Sequence, residues 1–419
     1  MPVPAADLDL AELVRPGDRI LFGQATGEPR ALTTALVEQR ARLGGVEVFL
    51  GAMLSDTFQP EHADGIRFRA LGGLGTNARL SRAGVLEVVP CHISAVPGLI
   101  SDGSIGADVV FVQLSPPDAE GRHSLGPVAD YLRPALERAR VVVGEVNEHV
   151  PWTCGDTAVE PGRLDRVVRS AHPPLDVPQP PPGEAERRVG QHVAERVPDG
   201  AVLQLGIGSI PEAMCGALRE KRDLGVHSGM ITDGVADLME AGVITNRRKA
   251  IDPGATVTGV LLGGPRLFDF AHRNPAIQMR PATYTHGASV LARLERFVSV
   301  NTAVEVDLTG QVNAEVAGSL HVGAVGGAVD YVRGAAASAG GTAIIALPST
   351  ARGGSVSRIV ARLGAGVTST ARSDTDLVVT EYGVAELWGR SLRERACSLI
   401  RIAHPDFRAE LEEAAERLC

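Results

Sequence analysis

The sequence predicts an α/β protein built from two related open α/β domains with largely parallel sheets and an inter-domain active-site cleft. Three observations carry this. Apolar runs of strand length alternate with helical stretches in both halves of the chain. Runs such as Val109–Leu114 and Val141–Asn147 are hydrophobic almost throughout rather than at every second residue, as strands covered on both faces require. Between them, Ala171–Glu184 (AHPPLDVPQPPPGE) carries six prolines, which prevent regular structure and make a semi-rigid linker. The expected domains are therefore residues 1–170 and 185–419, joined by a linker over 171–184. A Pro-rich docking ligand is the other reading of that stretch, but nothing basic flanks its core.

In the first half, Asp18–Gly23 reads as a strand ending in glycine, followed by a helix over about 30–42 and a second strand at Val46–Gly51. Helical character returns at Tyr131–Ala139. After the linker come a helix at Glu184–Arg196 and a buried strand at Ala201–Leu205. That strand feeds a glycine loop, Gly206-Ile207-Gly208-Ser209, and a helix starting near Ile210. Pro211 suits a first helical turn, and Ser209 is placed to cap it. Short strands follow at Gly225–Ser228, Val257–Leu262, Phe297–Val300, Thr342–Leu347 and Leu377–Thr380. Helices are predicted at Val235–Ala241, Ser289–Leu294, Val356–Leu363 and Asp406–Leu418. The likeness of the halves is topological, without a residue-level repeat.

Composition narrows the function. The chain has 419 residues, 44% hydrophobic and 22% charged, the balance of a soluble multidomain protein. A net charge of −9 with no basic run interleaved with aromatics excludes nucleic acid as the partner. Lys occurs only at 221 and 249, which reads as a codon bias. Cys91, Cys154, Cys215, Cys397 and Cys419 lie far apart with no CxxC pair, as expected of reduced thiols in a cytoplasm. The N-terminal MPVPAADLDLAELV lacks a basic region followed by an apolar core, so no secretory leader is expected. No apolar run approaches the ~20 residues that span a bilayer.

Several loops carry chemistry. Gly206–Ile210 joins a strand to a helix N-terminus, where backbone amides and the helix dipole can face an anion. Ser115–Gly121, with Ser124-Leu125-Gly126, and Glu145–Pro151 follow strands of the first half, at the ends where ligands sit in open α/β sheets. Tight turns are the alternative there. Gly323–Asp330 is a second glycine loop, able to expose N–H groups to a developing oxyanion. Thr380–Gly383 can present Glu381 or Tyr382 to the cleft, or use Glu381 to satisfy backbone donors. Cys154 and Cys215 read as nucleophiles or as small buried thiols. Arg372 meets a phosphate or is solvated surface charge, and His404 packs ahead of the last helix.

The segments LGIGSIPEA, HSGMITDGV, NTAVEVDLTGQVNAE, GAVGGAVDYVRGA, ALPSTARGG, VVTEYGVAEL and IAHPDFR fill the second half, and FVQLSPPDAEGRHSLG and EVNEHVPWTCGD the first. Together they resemble the acetyl-CoA hydrolase/transferase family of the class I CoA-transferase superfamily, and within it the 4-hydroxybutyrate CoA-transferase branch. The resemblance implies a homodimeric enzyme of acyl-CoA and acetate metabolism. It implies acyl-CoA as substrate in the cleft, no permanently bound cofactor and no metal. The loop Gly206, Ile207, Gly208, Ser209 and Ile210 would contribute to the CoA site. Val304 and Gly327 would contact CoA through main-chain groups, Gly327 from the oxyanion-stabilising loop.

The resemblance breaks at Gly229. Family transferases carry a glutamate there, in a stretch resembling H-S/T-E-M-x-S-D-G, and His227, Ser228, Met230, Asp233 and Gly234 all match it. That carboxylate attacks the thioester, forms an acyl-glutamyl anhydride, and then a glutamyl-CoA thioester that passes CoA to an acceptor acid. Glycine can do none of this. One reading is that space at Gly229 admits water or an acceptor directly to the thioester, with the Gly327 N–H holding the oxyanion and Glu148, Asp233, His227 or Glu381 as base. A second retains CoA transfer to a short carboxylate through a carboxylate from another loop. A third is a non-catalytic CoA-binding homologue.

Overall fold

The computed structural model describes residues 3–4, 7–177, 181–364 and 366–417; Cys419 and linker residues 178–180 lie outside them. The protein is α/β with mostly parallel sheets, and the chain folds into two compact units. One comprises Met1–Val177, Val257–Thr285 and Leu320–Gly326; the other comprises Pro178–Thr256, His286–Ser319 and Gly327–Cys419. The units are thus discontinuous in sequence.

In the first unit eight parallel strands lie in the order Val3–Pro4, Arg166–Ser170, Val141–Asn147, Val109–Leu114, Arg19–Phe22, Val46–Leu50, Ile66–Ala70, Leu86–Val88. All six residues of Val109–Leu114 are buried, as a strand covered on both faces demands. The core gathers Ile20, Phe22, Leu32, Leu36, Val48, Phe68, Phe111 and Val143. Each such burial is worth roughly 1.5–3 kcal/mol. Strand order reverses between Arg19–Phe22 and Val109–Leu114. Beside that point helix Arg30–Gln39 begins without a side-chain cap of its own, and the wholly buried Glu145 accepts the Ala31 and Leu32 amides at 2.9 and 3.3 Å.

In the second unit six strands follow the order Gly225–Val226, Val202–Gln204, Phe297–Thr302, Thr342–Ala346, Leu377–Thr380, Gly383–Glu386, parallel except for the last pair. Helix Glu184–Glu195 packs on helix Ser209–Ala217 through Gly190, where an added Cβ would meet the Ala213 backbone at 2.8 Å. Helix Leu392–Ile402 begins with a capping box between Ser391 and Glu394. The core includes Phe297, Val300, Ile345, Val378, Leu387 and Leu399.

Three local expectations need correction. Val356–Leu363 is not a helix but two short strands, Val356–Ser357 paired with Thr350–Ala351 and Ile359–Val360 paired with Glu305–Asp307. Gly353 and Gly354, at φ 65° and 93°, turn the chain ahead of a β-branched run. Val257–Leu262 is split into Thr256–Thr258 and Val260–Leu261. Ser209 does not cap its helix; it is the first helical residue, and Gly208 holds the cap position at φ 106°.

Candidate active site

Strand order in the second unit reverses between Val202–Gln204 and Phe297–Thr302. Chain leaving the carboxyl ends of those two strands opens a crevice, the usual ligand site of an open α/β sheet. The loop Gly206–Ile210 leaves the first, and Val304 the second. Reciprocal hydrogen bonds of 3.4 and 3.2 Å between Gln204 and Asn301 tie the two strands where they diverge. Space for a ligand is evident at the loop: a Cβ added to Gly206 or Gly208 meets no atom within 4 Å, and Ile207 is 43% exposed. Val304 donates its amide to the Asn313 carbonyl at 2.8 Å, so a main-chain contact from it to a ligand falls to its carbonyl.

The neighbouring strand, Gly225–Val226, delivers His227, Ser228 and Gly229 to the same end of the sheet. Ser228 Oγ donates to the Leu205 carbonyl at 3.1 Å and accepts the Leu205 amide at 3.3 Å, clasping this segment to the glycine loop. Lys249, one of two lysines in the chain, is buried beneath the strand and donates to the carbonyls of Val226 and Ala255 at 2.9 and 2.6 Å. Burial brings its ammonium down to about 8. Asp233 begins helix Asp233–Glu240. It and Asp237 add to the burial that raises the Glu212 carboxyl.

No open volume exists beside Gly229. A Cβ built there would lie 2.7 Å from His286 Cε1, 2.9 Å from His286 Nε2 and 3.0 Å from the Tyr331 hydroxyl. The expectation of a vacated space that admits water is corrected: an imidazole fills it. The same ring abuts Gly327, whose Cβ would lie 2.5 Å from Nε2. His286 therefore stands between the two glycines singled out in the sequence, its ring centroid 4.6 Å from that of Tyr331. Burial first, and neighbouring His227 second, push its pKa down to about 3, so the imidazole is neutral at physiological pH. Gly327 is the residue before helix Ala328–Ala337, whose N-terminal turn presents backbone N–H groups.

The remaining candidates scatter. Glu381 accepts both the amide and the hydroxyl of Ser349, at 2.8 and 2.6 Å, and is committed to a structural role. Arg372 lines a separate recess of about 380 Å³ with Arg362, Asp307, Thr309 and Gln311. Glu148 belongs to the first unit, in a recess of about 410 Å³ with Ser115, Trp152, His272 and Arg273. Burial pushes the Cys215 thiol up to about 12 and also raises Cys154, so neither is an activated nucleophile. Sequence reasoning missed His286, Lys249 and the clasp made by Ser228. His286, between Thr285 and Gly287, lies outside every motif singled out in the sequence.

Comparison with known proteins decides the family. Residues 5–177 match the acetyl-CoA hydrolase/transferase N-terminal domain, and residues 263–415 match the acetyl-CoA hydrolase/transferase C-terminal domain. The chain belongs to the acetyl-CoA hydrolase/transferase family. It is 42% identical to the 4-hydroxybutyrate coenzyme A transferase of Clostridium kluyveri, over 94% of this chain and 92% of that one. Among solved structures, RipA from Yersinia pestis superposes with a TM-score of 0.93 at 34% identity, covering 98% of this chain and 96% of RipA. A 4-hydroxybutyrate CoA-transferase from Porphyromonas gingivalis gives 0.82 at 35% identity, covering 100% and 97%. As a member of the acetyl-CoA hydrolase/transferase family the protein is an enzyme whose substrates are CoA thioesters. Among the described residues no helix is long and apolar enough to cross a membrane.

Proposed function

We propose that this member of the family cleaves acyl-CoA by hydrolysis or direct acyl transfer, without a covalent glutamyl relay. The supporting observation is the pair Gly229 and His286: where the resemblance calls for a carboxylate, the chain has no side chain and packs a neutral imidazole in its place. The Gly206–Ile210 loop and Val304, flanking the strand-order reversal, would hold CoA. Backbone N–H groups at Gly327 would receive the oxyanion. The acyl acceptor is water or a small nucleophile.

Short acyl-CoAs incubated with and without acetate, following both free CoA and new CoA ester, test this. CoA release that does not depend on acetate is the expected result. Ping-pong transfer to acetate, with an enzyme-bound CoA thioester trapped by borohydride or hydroxylamine, would overturn it in favour of transfer through another carboxylate. The identity to a coenzyme A transferase is what favours that second reading. The proposal extends to a homodimer in the cytoplasm. Among the described residues Cys91, Cys154, Cys215 and Cys397 form no disulfide, compatible with a reducing compartment, and light scattering reads the subunit number.

A further inference from the structure

Hydrolysis without a glutamyl intermediate needs a base for the attacking water, and Glu381 and His227, two of the bases expected from sequence, fare poorly. Glu381 is held by Ser349. His227 is 0% exposed, whereas His286 keeps 7%. The His286 ring packs against both glycines: Cε1 and Nε2 lie 2.7 and 2.9 Å from the position a Gly229 Cβ would take, and Nε2 lies 2.5 Å from that of Gly327.

We propose that His286 is the general base of thioester cleavage, an inference that rests on the hydrolytic reading above. Water attacks the thioester carbonyl carbon while His286 Nε2 takes its proton, and the carbonyl π pair moves onto oxygen beside the backbone amides at Gly327. The tetrahedral adduct collapses, re-forming C=O and breaking C–S. The departing thiolate takes the proton from the imidazolium, so acyl-CoA and water become carboxylic acid and CoA thiol with the base regenerated. Burial keeps the ring neutral and so in its proton-accepting form, and at the same time weakens it as a base. Negative charge developing on the adjacent oxygen strengthens the base as attack proceeds, which couples the two events. The buried Tyr331, its ring tilted at 42° to the imidazole with 4.6 Å between centroids, packs against it and limits its orientation.

The test is steady-state CoA release by His286→Asn and His286→Ala beside the unaltered enzyme, with thermal melts of each. General-base catalysis predicts a fall in kcat of about 10²–10⁴-fold with KM unchanged within roughly threefold, and partial recovery of His286→Ala by added imidazole. A folded His286→Asn whose kcat stays within about threefold of the unaltered enzyme overturns the proposal. So does a loss confined to KM, or one that imidazole fails to relieve in a variant melting normally. An unaltered enzyme that releases no CoA sinks the hydrolytic reading itself, which is a different result from normal release by both enzyme and variant.

Discussion

Gly229 and His286 compete for one volume, and the numbers say which substitutions the site tolerates. Gly229→Glu alone forces a Cβ to 2.7 Å from an imidazole carbon and 3.0 Å from the Tyr331 hydroxyl, so the ring must move. Overpacking of this kind costs about 1–3 kcal/mol, seen as a lower melting temperature, and displaces His286 from the reacting position. Gly229→Glu combined with His286→Gly removes both contacts under 3.0 Å and leaves the 3.0 Å approach to the Tyr331 hydroxyl. The pair is expected to recover the melting temperature, lose acetate-independent CoA release and gain transfer to acetate with a trappable glutamyl-CoA adduct. Failure of the pair to melt above the single variant would refute the shared-volume account. Asp130 in the first unit gives a pH prediction. Burial raises it from 3.8 to about 7, against its bonds to Gln24 and the Tyr131 amide. With the folded pKa raised, its favourable contribution is complete below 3.8 and is lost as pH rises through about 7. Asp130→Asn should abolish that loss, so its melting temperature gains on that of the unaltered enzyme between about pH 4 and 7. A pH-independent difference would count against it.

At the scale of elements, the loop ahead of helix Ser209–Ala217 depends on Gly208. A Cβ there meets nothing within 4 Å, yet φ 106° with ψ −175° is backbone that side-chain-bearing residues avoid. Gly208→Ala is therefore expected to reshape the loop rather than to clash, raising KM for acyl-CoA by about tenfold for each 1.4 kcal/mol of strain while leaving the core intact. An unchanged KM would remove the loop from the CoA site. Much of this architecture was legible beforehand. Val109–Leu114, Val141–Asn147 and Leu377–Thr380 are strands over the expected residues, because continuous apolar runs of that length fit only a doubly covered sheet. Val356–Leu363 reads as a helix because Val, Ile and Ser recur at spacings a helix also allows; what decides Ile359–Val360 is pairing with Glu305–Asp307, a partner some 50 residues away. His286 stayed hidden for a related reason. Its place against Gly229 and Gly327 is tertiary, and no local pattern encodes it.

At the scale of the whole molecule, each of the two units is assembled from separate stretches of the chain. The first unit draws in Val257–Thr285 and Leu320–Gly326 from the second half of the chain. These pieces carry structural weight. Ile277–Met279 pairs through Gln278 and Met279 with Cys154–Gly155, Thr26 Oγ1 donates to the Leu261 carbonyl at 2.7 Å, and the Gly73 amide donates to the Gly323 carbonyl at 2.9 Å. A fragment ending at Val177 retains every strand of the large sheet but lacks those partners. It is expected to bind a hydrophobic dye and to lose near-UV circular dichroism relative to the full chain. A cooperatively melting, dye-silent fragment would contradict that. The threading also sets a timetable during synthesis. The large sheet has left the ribosome by Ser170, but the last contribution to its unit emerges at Gly326, about 150 residues after Val177. At ~5–20 residues per second that is on the order of ten to thirty seconds in which an apolar surface waits for its cover. The nascent chain is exposed to aggregation through that interval, and yield in the cell should depend on elongation rate and on whatever shelters the unfinished unit.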